Sequence, residues 1–318
     1  MRTKFITTLL TAILLVTKVI VAQTPTTDTR PVVNRNSFWT ETVINGVIKN
    51  KFKWQMDFQY RRTSDPADLS GKSGYSGNMF KNDFQHVYRP WLHYQINDNI
   101  RVSLSPLGFW ETYTGSLESG STRKVQPEYR ICPQLTLTNK LWDRVIIDQR
   151  YRYEFRYFGT KVATTKAEFT DYSLGTDFPD AGRKMRMRYF LRAIVPLNHK
   201  KLEKNTFYII AWNEVFLGLG KNTANDKIWD QNRTFCLLGY KTNTEFPMRF
   251  EVGYGAIYKN TFASSINSAG QLYETGNKIE KNNILQVYII FENFNKLFSL
   301  KPKDKPVVQK DSAIIQSP

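Results

Sequence analysis

Hydrophobic and polar residues alternate with a period of two along most of the chain from Ser37 onward. In the segment 51–61, every even-numbered residue is large and apolar, and every odd-numbered residue is polar. A period of two is typical of a β-strand with two unlike faces. The pattern therefore predicts an all-β chain.

The two faces of these strands differ in a way that favours a membrane barrel. In the segments 149–157 and 184–195, arginine falls on one face, and the other face carries aromatic and aliphatic residues. The segments are about twice as long as the strands of about 5–6 residues that are common in soluble proteins. Strands of a membrane barrel need about 9–11 residues to cross, and they carry aromatic girdles. The alternative is a soluble exported β-sandwich that binds anionic glycans, since a sandwich also alternates.

Eleven alternating segments follow one another, and short links between them alternate with longer polar links. This order is typical of outer-membrane barrels with short periplasmic turns and longer external loops. Because single-chain bacterial barrels normally have an even number of strands, we expect an antiparallel transmembrane β-barrel of about twelve strands, with ten as the alternative. The segments lie near 37–48, 51–62, 80–96, 99–113, 124–138, 142–158, 183–197, 205–217, 229–242, 246–259 and 282–294.

The start of the chain has the features of a secretory signal peptide. Arg2 and Lys4 precede an apolar stretch, and cleavage is expected after Ala22. Export with a barrel pattern predicts the outer membrane of a Gram-negative bacterium. The domain organisation that we expect is a signal peptide at 1–22, an N-terminal lead at 23–36, a barrel at 37–297 and a disordered periplasmic tail at 298–318.

The net charge of the whole chain is +17, and loss of Arg2, Lys4 and Lys18 with the signal peptide lowers it by three to +14. Such an excess attracts anionic groups. The partners that we expect are the lipid bilayer and lipopolysaccharide, the barrel assembly machinery and anionic solutes, whereas nucleic acid is not expected for an exported protein. No stretch after Ala22 has the roughly 18–20 apolar residues of a spanning helix. Metal-ligand spacings and cofactor motifs are lacking in the sequence, so no metal or cofactor is expected.

A basic cluster on two consecutive strands is the main candidate site. Its side chains are predicted to face the lumen, together with acidic residues that could pair with them. One interpretation is a lumen that attracts anions, and the other is an interior closed by ion pairs. The basic residues are Arg150, Arg152, Arg156, Arg186, Arg188 and Arg192, and the acidic partners are Asp148, Glu154, Glu128 and Glu251.

A Ser/His couple offers a different hypothesis, that of a lipid-modifying or lipid-hydrolysing barrel enzyme. If 97–99 is a tight turn, His93 pairs across strands with Ser103, and both face inward. No carboxylate that could orient His93 is identifiable in the sequence. Cys132 and Cys236 are expected to be free inward thiols, because their strands are about four apart around the barrel.

Several segments together resemble the domain-of-unknown-function 2490 family, whose members are assigned as outer-membrane β-barrels. They are Asp148-Gln149-Arg150, the strand from Arg186 to Pro196, 213–216, 230–233 and 249–254. The resemblance implies a fold and a location but no activity. The expectation is a non-enzymatic, porin-like barrel. It is either a channel, narrow or closed, with a preference for anions, or a structural or assembly element.

Overall fold

The computed structural model describes residues 30–71, 73–114, 123–142, 144–159, 161–163, 183–219, 228–244, 246–266 and 272–295. Within them it contains twelve β-strands and one short 3-10 helix, Ala67–Leu69. The expected signal peptide and C-terminal tail lie outside the described residues. The strands are β1 (Val32–Lys49), β2 (Phe52–Thr63), β3 (Asn82–Gln95), β4 (Ile100–Thr114), β5 (Arg123–Leu141), β6 (Val145–Phe158), β7 (Lys161–Ala163), β8 (Arg183–Pro196), β9 (Thr206–Leu219), β10 (Trp229–Lys241), β11 (Met248–Ile266) and β12 (Leu272–Phe291).

Eleven long strands form one closed barrel, so the predicted barrel fold is confirmed and the sandwich alternative is wrong. Each long strand is antiparallel to the next along the chain, and β6 pairs directly with β8, because the short β7 only extends the sheet beside β5. The ring closes through a parallel pair between β1 and β12, from Val32 opposite Ile279 to Ile44 opposite Phe291. The eleven alternating segments thus correspond to the eleven long strands. The ring therefore has eleven strands, between the expected twelve and the alternative of ten, because a parallel pair can close a ring with an odd number of strands.

The parallel seam places the two ends of the barrel chain at opposite ends of the barrel. β1 runs toward the tight turn at 50–51, and β12 runs in the same direction. The links 50–51, 96–99, 142–144, 197–205 and 242–247 share that end, and the other end carries the two longest links, 64–81 and 159–182. The link between β11 and β12, expected to be long, has only the five residues 267–271, because both strands extend further than the alternation predicts. The chain therefore enters β1 at the end with the long links and leaves β12 at the end with the short turns. Residues 32–36, expected to belong to a lead, form the start of β1.

The exterior of the barrel is apolar, and its interior is largely polar. Side chains of strands that are not neighbours can meet only inside the barrel. The Arg233 guanidinium of β10 lies 5.4 Å from the Trp39 ring of β1, so these two side chains identify the inward face. Buried polar residues share that face, whereas the opposite face exposes large hydrophobic side chains. They include Phe58, Tyr88, Leu92, Val102, Leu104, Ile131, Met187, Leu191, Leu238, Phe250, Val252 and Tyr254.

Part of the interior is nevertheless a conventional apolar core. Tyr208, Ile210, Phe235 and Leu237 point inward from β9 and β10 and are 0–2% exposed. A Cβ atom on Gly239 would lie 2.3 Å from the Tyr208 ring, so glycine makes room for this aromatic side chain. The interior is thus filled by large side chains on this side of the barrel.

The link between β2 and β3 folds over the end of the barrel that carries the long links. Leu69 of its 3-10 helix is buried, and Asp68 accepts a hydrogen bond of 2.6 Å from the Lys278 ammonium of β12. The Asp65 carboxylate accepts hydrogen bonds from the Ser76 amide and from Asn82, each at 2.7 Å. These contacts hold the link against the interior.

The two cysteines are free, as predicted, and lie on β5 and β10, four strands apart around the ring. Cys132 points inward and is fully buried. Cys236 points outward and is exposed, so the prediction of an inward thiol is wrong at this position. Its neighbours Phe235 and Leu237 take the inward positions because they belong to the apolar part of the interior. None of the described helical residues could form a membrane-spanning helix, a finding that does not concern strands.

Candidate functional site

The six arginines of the predicted basic cluster all project into the barrel from β6 and β8. Across the β6–β8 pair, Arg152 lies opposite Arg188. Arg186 lies opposite Glu154, and Arg192 lies opposite Asp148. Arg152, Arg186 and Arg188 are 4–6% exposed, whereas Arg150, Arg156 and Arg192 are half-buried. The alternation therefore placed these side chains correctly, and the contacts decide what they do.

Glu154 is the centre of an ion-pair network and is completely buried. Arg186 donates two hydrogen bonds to its carboxylate, at 2.9 and 2.6 Å, and Arg188 donates one at 2.6 Å. The Arg130 guanidinium lies 3.5 Å away on β5. One carboxylate thus faces three guanidinium groups. Such an arrangement is stable only when each charge is compensated, because isolated charges are costly in a dry interior.

Glu214 on β9 and Asp230 on β10 complete the network, and the sequence analysis did not identify either. Arg188 donates to both oxygens of Glu214, at 2.8 and 2.7 Å, and Arg150 donates to it at 2.9 Å. Asp230 accepts a hydrogen bond of 2.7 Å from Arg186. The inward position of Glu214 could have been found, because it has the same parity as Trp212. Asp230 lies at a bulge, which simple alternation does not predict.

The four predicted acidic partners divide into two groups. Asp148 pairs with Arg192 at 2.5 Å, and Glu128 pairs with both Arg130 and Arg156 at 2.5 Å. With Glu154, these residues are partners of the basic cluster. Glu251 is not, because it accepts from Tyr208 at 2.8 Å and lies 3.5 Å from Arg249, so this part of the prediction is wrong.

We call the connected set of ion pairs from β5 to β10 the central network. Its residues are linked to one another through shared partners, without a break from β5 to β10. Inward aromatic rings pack against its guanidinium groups, as for Arg130 over Trp110 at 3.9 Å and Arg188 over Phe216 at 4.3 Å. The central network comprises Arg130, Arg150, Arg156, Arg186, Arg188, Glu128, Glu154, Glu214 and Asp230.

His93 and Ser103 lie opposite each other on β3 and β4, and a hydrogen bond of 2.8 Å joins Nδ1 to Oγ. The other ring nitrogen of His93 lies 3.2 Å from Oε1 of Gln55, and Gln55 in turn donates to Asp57. An amide therefore occupies the position that an orienting carboxylate takes in a catalytic triad. Both members of the couple are at least nine-tenths buried and face inward, away from the exterior surface.

A polar group interrupts the apolar exterior near the end with the long links. His86 points outward from β3, with Nδ1 lying 3.3 Å from the Glu111 carboxylate. The imidazole is half-buried between the rings of Tyr60 and Tyr113. Neither here nor in the rest of the described residues do three or more His, Cys, Asp or Glu side chains form a group that could hold a metal ion.

Comparison with known families identifies one that covers most of the chain. The model of a family described as "Protein of unknown function (DUF2490)" matches residues 36–267, which include β2 to β11 and most of β1. No curated protein and no solved structure matches the chain.

Proposed function

Since the chain belongs to the DUF2490 family, whose function is unknown, we propose that it is a non-enzymatic β-barrel of the bacterial outer membrane. Its interior is closed by its own side chains, so that it serves as a structural or assembly element rather than as an open channel. It reaches the membrane by export through a cleaved signal peptide. Its partners there are the bilayer, lipopolysaccharide and the barrel assembly machinery.

The observation that carries the membrane location is the inside-out distribution of side chains. Large hydrophobic residues are exposed around the exterior, including Leu191 and Val252 at 42% and 49%. Monomeric soluble proteins rarely expose apolar patches of more than a few hundred Å². A barrel in a membrane needs such a surface, together with a polar interior. The excess positive charge supports contact with anionic headgroups.

The burial of charged inward side chains supports a closed interior. Glu154 is 0% exposed, and Arg188 is 6% exposed, although both project toward the barrel axis. In a water-filled bore these groups would be accessible to solvent. The paired arginines therefore favour the closed form over an anion-conducting lumen, because their charges are compensated by carboxylates.

The geometry of His93 and Ser103 supports a non-enzymatic role. A lipid substrate would meet the outward face of the strands, whereas this couple is inward and buried. The ring nitrogen that a carboxylate would orient faces the Gln55 amide instead. The couple fits a structural hydrogen bond between neighbouring strands.

Conductance measurements test the closed interior. We expect purified protein in planar bilayers to give no discrete current steps, because the central network fills the bore. A gel run before and after boiling must show the folded form in the same vesicles, since intact barrels migrate as compact species. Folded protein that gives discrete, anion-selective steps would contradict the proposal, and purified protein that is monodisperse without detergent would contradict the membrane location.

Cysteine labelling on intact cells tests the orientation of the barrel. In a Cys132→Ser, Cys236→Ser background, we expect Val32→Cys to react with a membrane-impermeant maleimide, because β1 begins at the end with the long external links. Trp142→Cys, in the short β5–β6 turn, should react only after the outer membrane is opened. Both native side chains are at least half exposed. Equal labelling of the two positions on intact cells would contradict the orientation.

A further inference from the structure

Three interior arginines lack the carboxylate partner that the central network provides to the others. Within the described part of the chain, Arg61, Arg152 and Arg233 have no carboxylate oxygen within 4.0 Å. They come from β2, β6 and β10, which are spread around the ring. A guanidinium group does not lose its proton in a protein, so each of these charges persists in the interior.

Arg61 and Arg233 converge on one inward ring, that of Trp39 on β1. The Arg61 guanidinium lies 3.8 Å from the centre of this ring, and that of Arg233 lies 5.4 Å from it. Trp39 is 4% exposed and Arg61 is 9% exposed. The two guanidinium groups repel each other, and Arg188 adds to the repulsion on Arg233, while Glu214 attracts Arg233 from beyond 4.0 Å. Glu41 attracts Arg61 in the same way, but its carboxylate already lies 3.8 Å from the Arg89 guanidinium.

The donors around this ring are not fully used. Among the described residues, the Trp39 indole Nε1, the Arg61 Nε and the Arg233 Nε have no hydrogen-bond acceptor. The other Arg61 nitrogens donate to neutral amides, those of Gln85 at 2.6 Å and Gln59 at 2.5 Å. Neutral acceptors and aromatic rings reduce the cost of a buried charge but do not cancel it.

We propose that Arg61, Arg233 and Trp39 form an internal binding site for a small oxyanion with the chemistry of inorganic phosphate. The fork of a guanidinium group matches two oxygens of an oxyanion, and a charged acceptor makes these hydrogen bonds short and strong. An indole N–H adds a donor from a third direction. The anion would supply the negative charge that the neighbouring arginines obtain from Glu154 and Glu214.

The proposed anion site does not depend on whether the barrel lies in a membrane or on whether it conducts ions. It rests on the inward contacts of β1, β2 and β10. A barrel that proves soluble, or that conducts, would still contain these three side chains in the same arrangement. The experiment is therefore performed on the full chain in detergent. A negative result there would reject the anion site and would leave the bilayer measurements unaffected.

The test compares thermal unfolding of protein refolded in phosphate, sulfate or chloride at one ionic strength. At a phosphate concentration about a hundredfold above the dissociation constant, we expect the Tm of the wild type to rise by about 5 °C relative to chloride. Sulfate should act in the same direction. Tryptophan fluorescence reports unfolding.

Variants on the two faces of β2 provide a matched comparison. Arg61→Gln and Arg233→Gln should lose most of the phosphate-dependent rise. Arg62→Gln should keep it, because Arg62 points outward and pairs with Asp83 at 3.4 Å. Equal Tm values of the wild type in phosphate and chloride would overturn the site. So would an undiminished rise in Arg233→Gln, which would show an adventitious ion only. If Arg61→Gln fails to refold, the wild-type and Arg233→Gln measurements decide.

Discussion

Replacing Glu154 with glutamine is expected to lower the free energy of unfolding by about 3–5 kcal/mol. The side chain keeps its size, but one negative charge is lost at a position with no solvent exposure. Arg186 and Arg188 would then lose a charged acceptor, and Arg130 would lose its nearby counter-charge. Removal of one partner of a buried pair is costly because the remaining charge is left uncompensated.

Denaturant unfolding of refolded protein, followed by tryptophan fluorescence, measures this loss. Glu203→Gln is the matched control, since the Glu203 carboxylate also contacts another side chain, His199 Nδ1 at 3.1 Å, but is 59% exposed. We expect the control to change stability by no more than about 0.5 kcal/mol. If the two variants lose the same amount, the central network does not stabilise the barrel through compensated charge.

Met187→Arg is expected to cost about 2–4 kcal/mol in a lipid bilayer. Met187 points outward from β8, and the outward residues opposite it are Tyr153 and Leu217. An arginine there would enter hydrocarbon, where the cost of a charge depends on depth. Denaturant unfolding of the wild type and the variant in the same vesicles measures the difference.

Phe52→Arg serves as the control for depth. Phe52 is also outward and exposed, but it lies beside the short turn at 50–51, where we expect a cost of about 0–1 kcal/mol. Equal costs at both positions would reject a bilayer around β8. The neighbour Arg188 is not a neutral reference for Met187, because its guanidinium donates hydrogen bonds to both Glu154 and Glu214.

Individual strands show how far local pattern leads. In β2, each even-numbered residue from Phe52 to Tyr60 points outward, as the alternation predicts, because successive side chains of a strand take opposite faces whatever the strand pairs with. In β10, alternation is a poor guide. It does not predict the inward position of Asp230, because this residue lies at a bulge. It also does not predict that Cys236 points outward, because Phe235 and Leu237 on either side of it belong to the apolar part of the interior.

The sequence by itself determined the strands, their faces and the alternation of short and long links, because these depend on neighbours a few residues apart. Only the tertiary structure decided the parallel closure of β1 on β12 and the pairing of Arg188 with Glu214. It also decided which arginines lack a counter-charge. The physical reason is that register and ring closure bring together side chains far apart in the chain, and a period of two contains no information about which of them meet.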